Sequence, residues 1–253
     1  MSLKRRTLVF LFFMLAFSPG PALHAQEKIF SIEKAHECYK HGNYEAAKEI
    51  YEAFLKDHPD SEALHYDLGN VYYKLKKIGL AILHYEKARS IKPHDYEINE
   101  NLAYLQGLIE YKLEDKRNWY WIQWSRFLGH FTWNELVFLS LALYLAFMGL
   151  LTLRFLLRKE LRFLRLARPL FFLFLLSLAP LLTKYWYLSI EQDAVVISPT
   201  AEVRYGPSDR DRVAFRLVEG LKVEIEETRG EWYRVGLVNG ESGWCEKKDL
   251  ERI

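Results

Sequence analysis

From Leu136 to Leu153 the chain runs for 18 residues without a charged side chain. Coiled as a helix, that run is roughly 27 Å long at about 1.5 Å per residue, close to the ~30 Å hydrocarbon core of a bilayer. A second apolar run, Pro169 to Thr183, is prolonged by Tyr185-Trp186-Tyr187, with Lys184 placed to snorkel to the headgroups. Pro180 is expected to kink it. Neither run is amphipathic, and no soluble block of this chain is large enough to surround both. Between them lie Arg154, Arg158, Lys159, Arg162, Arg165 and Arg168, opposed by Glu160 alone. Lys and Arg clustered beside spans mark the cytoplasmic side. The expected layout is a first transmembrane helix at 136–157, a basic cytoplasmic loop at 158–168 and a second helix at 169–189.

Charge follows the same division. The formal net charge of +2 is a cancellation: residues 26–116 carry 13 basic and 17 acidic groups, 117–190 carry 9 and 2, and 191–253 carry 10 and 14. Two acidic blocks therefore flank a basic, apolar middle, which excludes an evenly basic nucleic-acid binder. Residues 1–25 read as a signal peptide: Lys4-Arg5-Arg6, the apolar Thr7–Phe17, then Ser18-Pro19-Gly20-Pro21 ahead of a small-residue site at Ala25. With an exported start and two spans, both acidic blocks lie outside the cytoplasm. The aromatic segment 117–135 holds Trp119, Trp121, Trp124 and Trp133 and is read as an interfacial belt. Arg117 and Arg126 are too few for a base-stacking surface. Cys38 and Cys245 stand at apolar-patterned positions and are expected to be buried free thiols.

A 34-residue period runs through the first acidic block. Leu68-Gly69, Tyr72, Ala81, Tyr85, Ala88 and Pro93 form one unit over 62–95, and Ala47, Tyr51, Phe54 and Pro59 stand at matching positions 34 residues earlier. Residues 96–116 continue with Ile98, Leu102, Leu105, Leu108, Ile109 and Leu113 at helical spacing, as the first helix of an incomplete third unit or a cap. The period and its small and aromatic positions resemble tetratricopeptide repeats, which implies an all-α solenoid over 26–116. The resemblance also implies a groove for a protein or peptide, lined here by His36, Tyr39, Tyr66, Asn70, Tyr73, Lys74, Asn101 and Tyr104. Asn70 and Asn101 match the asparagines that hydrogen-bond a ligand backbone in peptide-binding members.

From Ala194 the pattern becomes short alternating strands broken by Tyr205-Gly-Pro-Ser208, Glu219-Gly220 and Asn239-Gly240. Asn-Gly between strand-like runs is a strong hairpin signal. Five or so strands in about 60 residues imply a small all-β barrel. The ordering of Gly206-Pro207, Val218-Glu219-Gly220, Trp232-Tyr-Arg-Val235 and Gly243-Trp244 resembles bacterial SH3-type domains, here over 190–253. That likeness implies a ligand groove containing Tyr205, Trp232 or Trp244.

No H-E-x-x-H pair, Walker loop, Gly-x-Ser-x-Gly elbow or Cys/His metal spacing occurs, so no enzyme and no cofactor is expected. The order of signal, repeats, Trp-rich stretch, two spans and exported SH3-type domain resembles the BatE proteins of bacterial aerotolerance (Bat) operons. The likeness is carried further by Gly42-Asn-Tyr44, Leu68-Gly-Asn70, Val218-Glu-Gly220 and Gly243-Trp244. It implies an inner-membrane protein with both soluble modules on the periplasmic side. Implied partners are von Willebrand A-domain membrane proteins and a MoxR-type ATPase system. The expected function is a scaffold for protein–protein contacts in the envelope. The competing reading is a cell-wall module whose SH3-type domain binds peptidoglycan while the repeat recruits an enzyme.

Overall fold

Small residues at helix crossings and side-chain caps at helix starts account for most of the helical half. The structure, a computed structural model, describes residues 32–109, 116–157, 160–190 and 192–253. The expected signal peptide lies outside the described residues, as do 110–115 of the third repeat helix. The chain divides into two compact units, Met1–Pro59 and Asp60–Ile253.

In the first unit, α1 (32–40) and α2 (Tyr44–Asp57) form a helix pair. The turn between them places Gly42 at φ +78°, and the Asn43 side chain caps α2 by accepting from the Ala46 amide. Ala35, Ala47 and Tyr51 are buried, and the His36 ring meets that of Tyr51 edge-on at 5.8 Å.

The second unit opens with α3 (Glu62–Lys74), α4 (Ile78–Ile91) and α5 (Tyr96–Leu108). Ser61 and Asp95 cap α3 and α5 with their side chains. A Cβ at Gly69 would sit 2.7 Å from Tyr85 Cδ1, so glycine is what lets α3 and α4 approach. Leu68, Val71, Ala81, Ile82, Tyr85, Ile98, Leu102 and Leu105 fill the interior. Within it His65 and His84 bring their Nδ1 atoms to 3.0 Å, and the His84 ring stacks on Tyr72 at 5.2 Å.

Next come α6 (Trp119–Gly129), α7 (Trp133–Leu157) and α8 (Glu160–Ile190). Trp133–Leu156 and Ala167–Trp186 are both long and apolar enough to cross a membrane. Within the chain, 11% of the most apolar 18-residue stretch of the first is buried and 6% of the second, unlike core helices. The two helices pair antiparallel, with Trp133 near Tyr185, Ser140 Oγ donating to the Ser177 carbonyl, Tyr144 near Phe174 and Phe147 near Phe171. The basic stretch expected as a loop is helical from Glu160 onward, and α8 continues through Pro169 and Pro180. Its Leu, Arg and Ala residues are good helix formers.

The C-terminal domain is one antiparallel sheet: β1 (Gln192–Val196), β2 (Thr200–Arg204), β3 (Val213–Val218), β4 (Lys222–Arg229), β5 (Trp232–Gly236), β6 (Ser242–Glu246) and β7 (Leu250–Arg252). The order is β3-β2-β6-β5-β4-β1-β7. The expected barrel is not closed: β3 and β7 are edges. Breaks in register at Val203/Arg204 and Ile225/Glu227 bend the sheet. Leu217 and Leu250 from the edge strands thereby join Val203, Val223, Val235 and Cys245 in one core. Cys245 is fully buried as expected, whereas Cys38 is only half-buried.

This sheet packs on α4. Lys77, just before α4, gives that helix no side-chain cap, and the Gly79 amide donates instead to Glu219 Oε1 at 2.7 Å. Gly220, at φ +85°, lies so close to Ile82 and Ile109 that a Cβ would come within 3.0 Å of both. Buried Glu86 accepts from Arg89 (2.5 Å) and Gln106 (3.3 Å) and faces Lys222 (4.0 Å), which also pairs with Asp193 (2.7 Å). Lys87 pairs with Glu251 at 3.7 Å.

Candidate functional site

Positions 66, 70 and 73 recur at helical spacing, as do 97, 101 and 104, so each set shares one face of its helix. On α3 the opposite face holds the buried Leu64, Leu68 and Val71, and on α5 the neighbouring face, about 100° round the helix, holds the buried Ile98, Leu102 and Leu105. The two polar faces meet through side chains. Tyr66 donates to Glu97 Oε2 at 3.1 Å, Asn101 Nδ2 donates to the Tyr66 hydroxyl at 3.3 Å, and the Tyr73 and Tyr104 hydroxyls lie 3.4 Å apart. Asn70 Oδ1 accepts from Tyr85 at 2.7 Å, so its amide is held by the α3–α4 pair rather than left to swing. The Lys74 ammonium lies 5.8 Å from the Tyr73 ring centroid.

Burial pushes the Tyr66 phenol up, and its bond to Glu97 adds to the effect against the lowering contact of Asn70. The hydrogen bond to Tyr73 raises Tyr104. Raised in this way, the Tyr66 and Tyr104 phenols stay protonated at neutral pH. The face thus offers hydroxyls, a carboxamide and a carboxylate on two packed helices. Tyr39 belongs to the first unit, where its ring meets Tyr44 edge-on at 5.4 Å. Sequence reasoning did not name Glu97, although its place four residues before Asn101 puts it on the same helix face. Among the described residues no group of three or more His, Cys, Asp or Glu is placed to hold a metal.

In the sheet domain, Trp232 and Trp244 share a face. Arg234 pairs with Trp244, and Trp232 with Glu246, so alternate residues of β5 and β6 point the same way. Trp244 is 7% exposed and lies under the Arg229 guanidinium, 4.9 Å from the ring centroid. Half-buried Trp232 is in register with Arg229. Tyr205 stands on the loop after β2, 73% exposed, its amide bonded to the Arg212 carbonyl at 3.1 Å. Tyr205 and Trp232 therefore present more open ring surface than Trp244.

Comparison with known proteins matches two parts of the chain. Residues 32–96 match the family model described as tetratricopeptide repeat, and residues 199–251 the one described as bacterial SH3 domain. No curated protein matches. Among solved structures, an NlpC/P60 family protein from Bacillus cereus ATCC 10987 is 22% identical, covering 28% of this chain and 23% of its own, with a TM-score of 0.22. The matched part is under a quarter of that protein's length. What the matches and the fold establish together is a chain that joins tetratricopeptide repeats to a bacterial SH3-like domain, with two apolar helices of membrane-spanning length between them.

Proposed function

We propose that this protein is a membrane-anchored scaffold of the bacterial cell envelope. It holds a protein or peptide on the repeat, takes no cofactor and catalyses no reaction. The observation that carries the reading is the linked face of Tyr66, Tyr73, Asn101 and Tyr104 on two helices of a repeat segment. In this reading α7 and α8 cross the inner membrane with the basic stretch inside, and both soluble modules stand on the periplasmic side. The packing of the sheet on α4 supports a shared side, because modules on opposite sides of a bilayer could not touch. Resemblance to BatE proteins supports a place beside von Willebrand A-domain and MoxR-type partners in stress tolerance.

Photo-crosslinking in cells from positions 73 and 104 of the full chain tests the scaffold. A discrete adduct lost on Asn101→Ala is expected, and no adduct at either position would sink it. Alkaline phosphatase fused after residues 116, 161 and 253 should be active, inactive and active; another pattern overturns the orientation.

The bacterial SH3 match and the exposed Tyr205 favour a second reading, in which the sheet domain binds peptidoglycan. Sedimentation of the detergent-solubilised chain with isolated sacculi tests it. Pelleting that falls with Trp232→Ala supports cell-wall binding, and no pelleting removes it.

A further inference from the structure

Helix α6 presents a largely exposed aromatic face. Trp119 is 63% exposed, Tyr120 74% and Phe127 47%, and all three fall on one side within little more than two turns. Three large rings so placed are more apolar surface than a short helix of a soluble domain usually leaves in water. The other side holds the buried Leu128 and the half-buried Trp121 and Ile122. Arg126 is exposed next to Phe127.

The position of α6 is set by the second apolar helix. The last carbonyls of a helix have no partner within it and carry partial negative charge. At the end of α6 the ammonium of Lys184 on α8 donates to the Leu128 carbonyl at 3.3 Å and to that of Phe131. Lys184, expected from sequence to snorkel to headgroups, is thus spent on tying α6 to α8. Residues 130–132 alone separate α6 from α7, whose first residue, Trp133, lies beside Tyr185 of α8. Helix α6 is therefore held at the level where one apolar helix begins and the other ends.

We infer that α6 is an interfacial helix, held by Lys184, which lays Trp119, Tyr120 and Phe127 into the headgroup–acyl boundary of the membrane that α7 and α8 cross. The occupant of its aromatic face is lipid. Amphipathic aromatic rings favour that depth, and Arg126 is placed for phosphate groups. The inference rests on the membrane reading of α7 and α8.

Single-tryptophan variants of the full chain, keeping Trp119 or Trp186, are reconstituted in phosphatidylcholine–phosphatidylglycerol vesicles with brominated acyl chains. Trp186 on α8 reports insertion of the spans; Trp119 reports α6. Both should be quenched, Trp119 more by bromines near the headgroup than by deep ones. Quenching of Trp186 with Trp119 unaffected overturns the inference and leaves the spans standing. Loss of both overturns the membrane reading itself. A spin label at Tyr120→Cys in a Cys38→Ser background keeps all seven tryptophans, so the test survives poor folding of the first set. That label should be shielded from an aqueous relaxant, and Lys184→Met should raise its accessibility several-fold. A label exposed to water from the start, or unmoved by Lys184→Met, refutes the held interfacial helix.

Discussion

The histidine pair in the repeat makes its stability depend on pH. His84 is 8% exposed, stacked on Tyr72 and within 3.0 Å of the His65 ring nitrogen. Burial, then the proximity of His65 and Lys87, pulls its pKa from 6.5 down to about 3. Two neutral imidazoles can share one N–H between their Nδ1 atoms; a second proton there meets a like group and no acceptor. The folded value lies below the unfolded one, so between about pH 6.5 and 3 the unfolded chain binds the extra proton. Stability is accordingly intact above 6.5 and falls as the pH drops through that window. From pH 7 to pH 5 the loss from His84 alone is about 2 kcal/mol, roughly 30-fold in the opening equilibrium. Hydrogen exchange of α3 and α4 amides in the full chain, corrected for intrinsic rates, measures it. Opening should rise by at least that factor in the wild type and by clearly less in His84→Leu, where the buried His65 remains. An equal rise in both, or none in the wild type, would refute the reasoning.

Three further outcomes are expected. Gly79→Ala would drive a Cβ into the Val196 carbonyl and to 2.9 Å from Glu219 Cγ. About 1–3 kcal/mol of overpacking should follow, with release of the sheet domain read by faster proteolysis between 190 and 253. Glu219→Ala removes only the cap on α4 and should cost about 1 kcal/mol, seen as earlier exchange at its first turn. Cys245, whose thiol burial pushes up to about 12, should resist alkylation at pH 8 until the chain is denatured. Mass spectrometry of native and urea-treated protein decides it.

How far the fold could be read in advance depended on how local its causes are. Gly69, Ala81 and Tyr85 mark the repeat because each helix pair meets its own requirements within 34 residues. Asn239-Gly240 likewise announces its hairpin, with Gly240 at φ +86°. Strand β7 escaped notice because Leu250–Arg252 is three residues long and forms only by pairing with β1, over fifty residues earlier. The helical start of α8 was hidden by its charges, which read as a loop beside a span. Of the candidate site, the polar faces of α3 and α5 follow from spacing alone, but the bonds joining Tyr66 to Glu97 and Asn70 to Tyr85 need the helices packed. That Trp244 would lie beneath Arg229 depends on strand register, which a turn motif does not specify.

The cap on α4 carries a consequence for the order in which this chain matures. Gly79 waits for a carboxylate 140 residues downstream, beyond both apolar helices. During synthesis the repeat emerges early, with the start of its central helix unsatisfied and Ile82 uncovered. Only the sheet domain supplies Glu219 and seats Gly220 on Ile82. A chain truncated or stalled before residue 219 therefore carries a repeat that is incomplete at its middle rather than its end. The finished repeat is in that sense a record that the sheet domain has been made and brought onto it.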